Sequence, residues 1–156
     1  MYWHLVARTH GNLSVATAAD HIVAAKREGR AVFVLASQDG GCIDFELARI
    51  EMFYRLGLRV LIPAYNANNQ ICGGCLDRND GGLTRFGHRV VEEANRVGLL
   101  LDCTHLGKRS SLDICHASDV PVVFSHSNAK RVQDNPRNID DEQILVLQVP
   151  ITDALR

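Results

Sequence analysis

The chain has 156 residues, 46% apolar and 22% charged, and a formal net charge of -1. That is length and apolar content enough for one domain with a real core. The near-neutral balance excludes the basic stripe that nucleic acid requires, and no apolar run reaches the length of a membrane span.

Taken in chain order, residues 14–29 read as a helix. Val15, Ala18, Ala19, Ile22, Val23 and Ala25 keep a roughly helical rhythm, and Gly29 supplies a stop. Residues 30–36 are a compact apolar run with β-branched members, which predicts a buried strand. Residues 43–56 form a second helix closed by Gly57, and residues 58–64 a second strand with Pro63 at its end. Residues 65–82 are rich in Asn, Gly and Asp. A connection of about 18 residues is longer than usual and points to function or mobility. A third helix follows over residues 83–97, then a strand at 99–103, a short helix at 110–118 and a fourth strand at 120–125. Residues 127–138 are a polar loop, and residues 139–147 read as a helix with Asp140, Asp141 and Glu142 in its first turn.

A helix followed by four strand-helix units predicts a parallel sheet with helices outside. Two closures remain open: a doubly wound sheet, or about four βα units of a (β/α)8 barrel, of which this chain supplies roughly half. The whole chain, residues 1–156, is expected to be one domain.

The polar residues cluster where such a sheet places chemistry. Gln38 and Asp39 follow the first strand, Tyr65, Asn66 and Asn68 the second, His105 the third, and His126, Ser127 and Asn128 the fourth. The C-terminal ends of parallel strands are the active edge of α/β enzymes. A single histidine there does no more than hydrogen-bond at a strand end. Two on neighbouring strands favour a metal site, for which zinc is the common ion. A catalytic zinc needs about three protein ligands and one open position. Arg137, in the loop beyond His126, suits a substrate carboxylate, although alone it reads better as a solvated loop residue. His88 and His116 fall in helical segments and read as surface or packing residues, and His10-Gly11-Asn12 resembles a His-x-Asp ligand pair only superficially.

Five cysteines, Cys42, Cys72, Cys75, Cys103 and Cys115, are odd in number and loosely spaced. This argues against a disulfide framework and for a reducing compartment, the cytoplasm. Met1-Tyr2-Trp3-His4 opens without the pattern of a secretory signal, which agrees. Cys72-Gly73-Gly74-Cys75 is half a zinc ribbon or a redox pair, but it lies in a long loop rather than at a strand-to-helix junction.

Several motifs occur in order. Gly82-Leu83-Thr84-Arg85-Phe86-Gly87 leads to Glu93-Ala94-Asn95-Arg96-Val97-Gly98 and Asp102-Cys103-Thr104-His105. Pro121-Val122-Val123-Phe124-Ser125-His126-Ser127-Asn128-Ala129 and Pro136-Arg137-Asn138-Ile139-Asp140-Asp141-Glu142 follow, with Phe53-Tyr54-Arg55-Leu56-Gly57-Leu58-Arg59 upstream. Together they closely resemble the membrane dipeptidase (renal dipeptidase) family of zinc metallopeptidases over residues 16–143. The resemblance implies a partial (β/α)8 TIM barrel of the metal-dependent hydrolase type, two zinc ions, a dipeptide substrate and commonly a homodimer. His105 and His126 match the histidines of the second zinc, and Arg137 matches the arginine that grips the substrate's terminal carboxylate.

This sequence also departs from the family. Gln38 stands at the position of the bridging glutamate, and a neutral amide lacks the charge that two close cations want. Tyr65 stands where many members place a histidine that touches the substrate oxygen. The His-x-Asp ligands and the aspartate that assists proton transfer have no counterpart in these residues. The chain is therefore expected to be an internal piece of a dipeptidase-like protein with impaired activity. The alternative is a non-catalytic binding remnant that pairs with another chain.

Overall fold

The computed structural model describes residues 12–147. Four parallel strands, β1 (Leu13–Ala16), β2 (Ala31–Ser37), β3 (Leu58–Leu61) and β4 (Leu100–Leu101), lie side by side in chain order. Five helices accompany them: α1 (Ala19–Arg27), α2 (Ala48–Arg55), α3 (Arg85–Val97), α4 (Lys108–Ala117) and α5 (Asp141–Leu147). The order never reverses. A doubly wound sheet would show strands diverging from a central switch point, so the uninterrupted sequence of neighbours decides for the barrel arrangement.

Residues 14–29 are not one helix. Leu13–Ala16 pairs in parallel with Ala31, Val32, Phe33 and Val34, and the helix starts only at Ala19. The alternation Leu13-Ser14-Val15-Ala16 is a strand period that the longer helical rhythm conceals. Helix 43–56 is likewise interrupted. Asp39 caps a 3-10 turn over Gly40–Ile43, Asp44 (φ 50°) and Phe45 (φ 60°) turn left-handed, and α2 restarts at Ala48. The expected strand at 120–125 is an extended segment joined to β4 through a single parallel bridge, Asp102 with Val123. It adds a fifth rung in the same direction.

The core lies on one face of the sheet. Leu61 and Leu101 pack there against Val90, Val91 and Ala94 of α3, Ile50 of α2 and Ile114 of α4, all at most 1% exposed. Helix α3 is set at both ends: Thr84 Oγ1 accepts from the Gly87 amide at 2.8 Å, and Gly98 closes the helix at φ 81°. Alternation along the strands turns Val34, Val60 and Leu100 to the other face, where they line an apolar groove with Ala16 and Ile22. The buried strand expected at 30–36 is therefore half open: Phe33 is 55% exposed and Val34 43%.

The long loop is tied down. Asn69 Oδ1 accepts from the amides of Ile71 and Cys72, while its Nδ2 donates to Pro63 O at 2.7 Å. Asp80 accepts from the backbone amide and hydroxyl of Ser110 at the start of α4, and Ser110 Oγ accepts from the Gly73 amide at 2.8 Å. Ile71 and Cys72 enter the core. Gly74 passes so close to the Asn66 backbone that a Cβ would overlap it.

Candidate metal centre

Gln38, His105 and His126 meet beyond the strand ends. Gln38 follows β2 directly, Tyr65 and Asn66 follow β3, His105 follows β4, and His126 follows the extended segment. The two imidazole Nε2 atoms stand 3.0 Å apart, and Gln38 Nε2 lies 3.2 Å from each. The rings cross at 62° with centroids 5.0 Å apart, so nitrogen edges rather than faces converge.

Each ring is held from behind. His105 Nδ1 meets Asn66 Oδ1 at 2.7 Å, and His126 Nδ1 meets Ser125 Oγ at 2.6 Å. The Ser125 hydroxyl donates onward to Asp102 Oδ2. Asp102 is 2% exposed and accepts in addition from the Thr104 amide at 3.0 Å, the Thr104 hydroxyl at 2.7 Å and the Ser125 amide at 3.2 Å. Burial alone would raise its pKa. The hydrogen bonds from Ser125 and Thr104 outweigh burial and hold the carboxyl below its ordinary value, so it is an anion.

His105 and Asn66 both adopt left-handed backbone, at φ 73° and 62°. Non-glycine residues pay for this conformation, and such strain persists where surrounding structure fixes it. Here the Cys75 amide donates to His105 O at 2.9 Å and the Leu76 amide to Asn66 O at 2.9 Å. The Tyr65 ring lies on the His105 ring, with centroids 4.1 Å apart. His105 is 5% exposed, and its pKa is pushed down to about 4 by burial, then by the Arg137 cation and by His126. The ring is neutral at pH 7, as a metal ligand must be.

Arg137 reaches back toward this edge, with Nη2 3.5 Å from His126 O and Nη1 buried without a protein partner. It lines a small cavity with His105, Phe124, Ser127 and Lys130. Asp39, the acid nearest to Gln38 in sequence, is occupied elsewhere: it caps the 3-10 turn and accepts from the Tyr65 amide at 2.9 Å. The Cys72 and Cys75 pair offers little redox chemistry. Burial pushes Cys72 far above the ordinary thiol range and raises Cys75 as well, the reverse of what a reactive pair needs.

Sequence reasoning brought His105, His126, Gln38, Arg137 and Tyr65 to one edge, and the structure gathers all five there. It gave no role to Asp102, Thr104 or Ser125. The signal was an acid at the end of an apolar run and a hydroxyl immediately before a histidine.

The donor set bears on the metal. Two imidazole nitrogens, each with its opposite nitrogen hydrogen-bonded, suit one divalent ion. No group of three His, Cys, Asp or Glu side chains that could hold a metal ion occurs among the described residues. A pair of ions sharing a bridging carboxylate does not fit Gln38.

Comparison with known proteins gives the family. A model of the membrane dipeptidases (Peptidase family M19) matches residues 1–149, a wider span than the motifs alone. An uncharacterized dipeptidase of Schizosaccharomyces pombe is 31% identical over 146 residues, covering 88% of this chain and 34% of that protein. Dipeptidase 3 of Rattus norvegicus is 33% identical over 121 residues, covering 74% of this chain and 25% of its own length. Among solved structures, an amidohydrolase from Pseudomonas aeruginosa superposes with a TM-score of 0.88 at 29% identity, covering 94% of this chain and 45% of that one. A metallo peptidase from Rhodobacter sphaeroides, liganded with a phosphinate mimic of the dipeptide L-Ala-D-Ala, gives 0.85 at 28% identity, with 94% and 44% covered. The chain thus spans a quarter to a third of these curated relatives and under half of these solved structures. Its sheet is part of a (β/α)8 barrel, and the chain belongs to the membrane dipeptidase family of metallopeptidases, peptidase family M19.

Proposed function

We propose that the strand ends of this chain form the one-cation, carboxylate-gripping part of a zinc metallodipeptidase centre. The observation that carries this reading is the 3.0 Å approach of two imidazole Nε2 atoms whose opposite nitrogens are both engaged. A divalent ion bound there polarises a carbonyl and acidifies a water. His105 and His126 would hold it through Nε2, and Gln38 would contribute a neutral amide. Arg137 keeps Nη1 free to pair with a carboxylate, and its guanidinium suits the terminal carboxylate of a dipeptide. The dipeptide class is supported by the family and by the dipeptide mimic held by the Rhodobacter relative.

The test is zinc titration of the chain followed by dipeptide binding and hydrolysis. One zinc per chain is expected, with weak turnover. His126→Ala loses both zinc and turnover, whereas Arg137→Ala keeps zinc and weakens dipeptide binding. A zinc-loaded chain that neither binds nor cleaves dipeptides overturns the reading. The neutral Gln38 favours a second reading, a non-catalytic binding protein, which predicts dipeptide binding with no turnover at all.

A further inference from the structure

We propose that Asp102, acting through Ser125, is a positioning residue that fixes His126 in the Nδ1–H tautomer and so aims its Nε2 lone pair at the cation. The inference rests on the metal-site reading above. The assignment follows from counting protons. Ser125 Oγ has one hydrogen, and its contact with Asp102 Oδ2 directs that hydrogen to the carboxylate. An ionised carboxylate can only accept. The 2.6 Å contact between Ser125 Oγ and His126 Nδ1 must then use the imidazole's own N–H, which leaves Nε2 unprotonated.

Two further contacts agree. Asn66 Oδ1 is an acceptor at 2.7 Å from His105 Nδ1, so His105 is also protonated there and bare at Nε2. Gln38 Nε2 carries two hydrogens and sits 3.2 Å from both Nε2 atoms, which can accept one each. These three contacts fit both lone pairs facing inward; the 3.0 Å approach of the two Nε2 atoms then holds no hydrogen and is the spacing of two ligands to one cation. The remaining acceptor sites of Asp102 are taken by the Thr104 amide, the Thr104 hydroxyl and the Ser125 amide, which hold the carboxylate in place.

The experiment is long-range proton–nitrogen NMR on the metal-free, nitrogen-15-labelled chain near pH 8. In the unaltered chain both histidines should show protonated Nδ1 and unprotonated Nε2. Ser125→Ala removes one donor from Asp102 and keeps the Thr104 donors and the amide of residue 125; it should move His126 toward the Nε2–H form and leave His105 unchanged. Ser125→Thr should restore the original pattern. Asp102→Asn is sharper. Its amide oxygen can keep the three donors at Oδ1 while its NH2 faces Ser125 Oγ, turning the hydroxyl proton toward His126 and forcing Nε2–H. Zinc affinity should fall about 10- to 100-fold in Ser125→Ala and Asp102→Asn. If His126 keeps Nδ1–H in Ser125→Ala, or carries Nε2–H in the unaltered chain, the relay is wrong. If the tautomers behave as stated but the unaltered chain binds no zinc, the relay stands and the metal-site reading fails.

Discussion

Replacing Gln38 by glutamate puts a charge where the structure holds a neutral amide, and the size of the effect follows from the geometry. Gln38 Nε2 is 3.2 Å from both imidazole Nε2 atoms. A carboxylate oxygen at that distance, in an effective dielectric of about 40, interacts with an imidazolium by about 2.5 kcal/mol. That is about 2 pKa units in favour of the charged ring. His105, pushed down to about 4 in the present chain, should therefore titrate near ~6 in Gln38→Glu. A divalent ion carries twice the charge, which doubles the attraction to about 5 kcal/mol. Desolvating the new carboxylate takes back roughly half, leaving about 2 to 3 kcal/mol, or ~30- to 150-fold tighter zinc. Proton NMR of the His105 ring against pH gives the first number and competitive zinc titration the second. An unmoved His105, or zinc no tighter than in the unaltered chain, would show that Gln38 does not face a common cation site.

Other perturbations test other parts of the molecule. His105 is neutral in the fold because its pKa lies at about 4 rather than the ordinary 6.5, so between those values the unfolded chain binds more protons. Stability of the metal-free chain should therefore be full above pH 6.5 and fall as pH drops through 4. The loss from this residue is on the order of 3 kcal/mol, read by urea unfolding at stepped pH; a flat profile would contradict the buried neutral ring. Ile114→Ala empties a fully buried position in the core and should cost about 3 kcal/mol in the same assay. Thr84→Ala removes the acceptor for the Gly87 amide and should cost about 1 kcal/mol. Asp80→Ala strands the amide and hydroxyl of Ser110. It should cost about 2 kcal/mol and shift the His105 NMR signals, although Asp80 is not one of the residues at the site.

What the sequence made legible was set by residue type at strand ends. An imidazole or guanidinium just past an apolar run stands out, so His105, His126 and Arg137 were visible. The fate of Leu13–Ala16 was not, because four residues of strand period preceding a helix share apolar positions with its first turn. Nor could spacing reveal that Asp44 and Phe45 turn left-handed, since neither is glycine. The relay through Asp102 and Ser125 joins residues 23 apart in sequence, and only the parallel bridge between Asp102 and Val123 brings them together. Such a pairing exists only once the strands are in register.

The ties around Asp80 make the stretch 65–82 a keystone rather than a tether. One carboxylate binds the far end of the loop to the first turn of α4, while the loop's own Cys75 amide holds the carbonyl of His105. His105, the proposed metal ligand, is thus wedged between a helix and a connection that lies 30 residues earlier in the chain. Insertions there would shift His105, whereas the stretch 127–138, with its exposed Arg131, Val132 and Gln133, has room to vary in length. Relatives with a functioning centre should differ in the second segment and keep the spacing of the first.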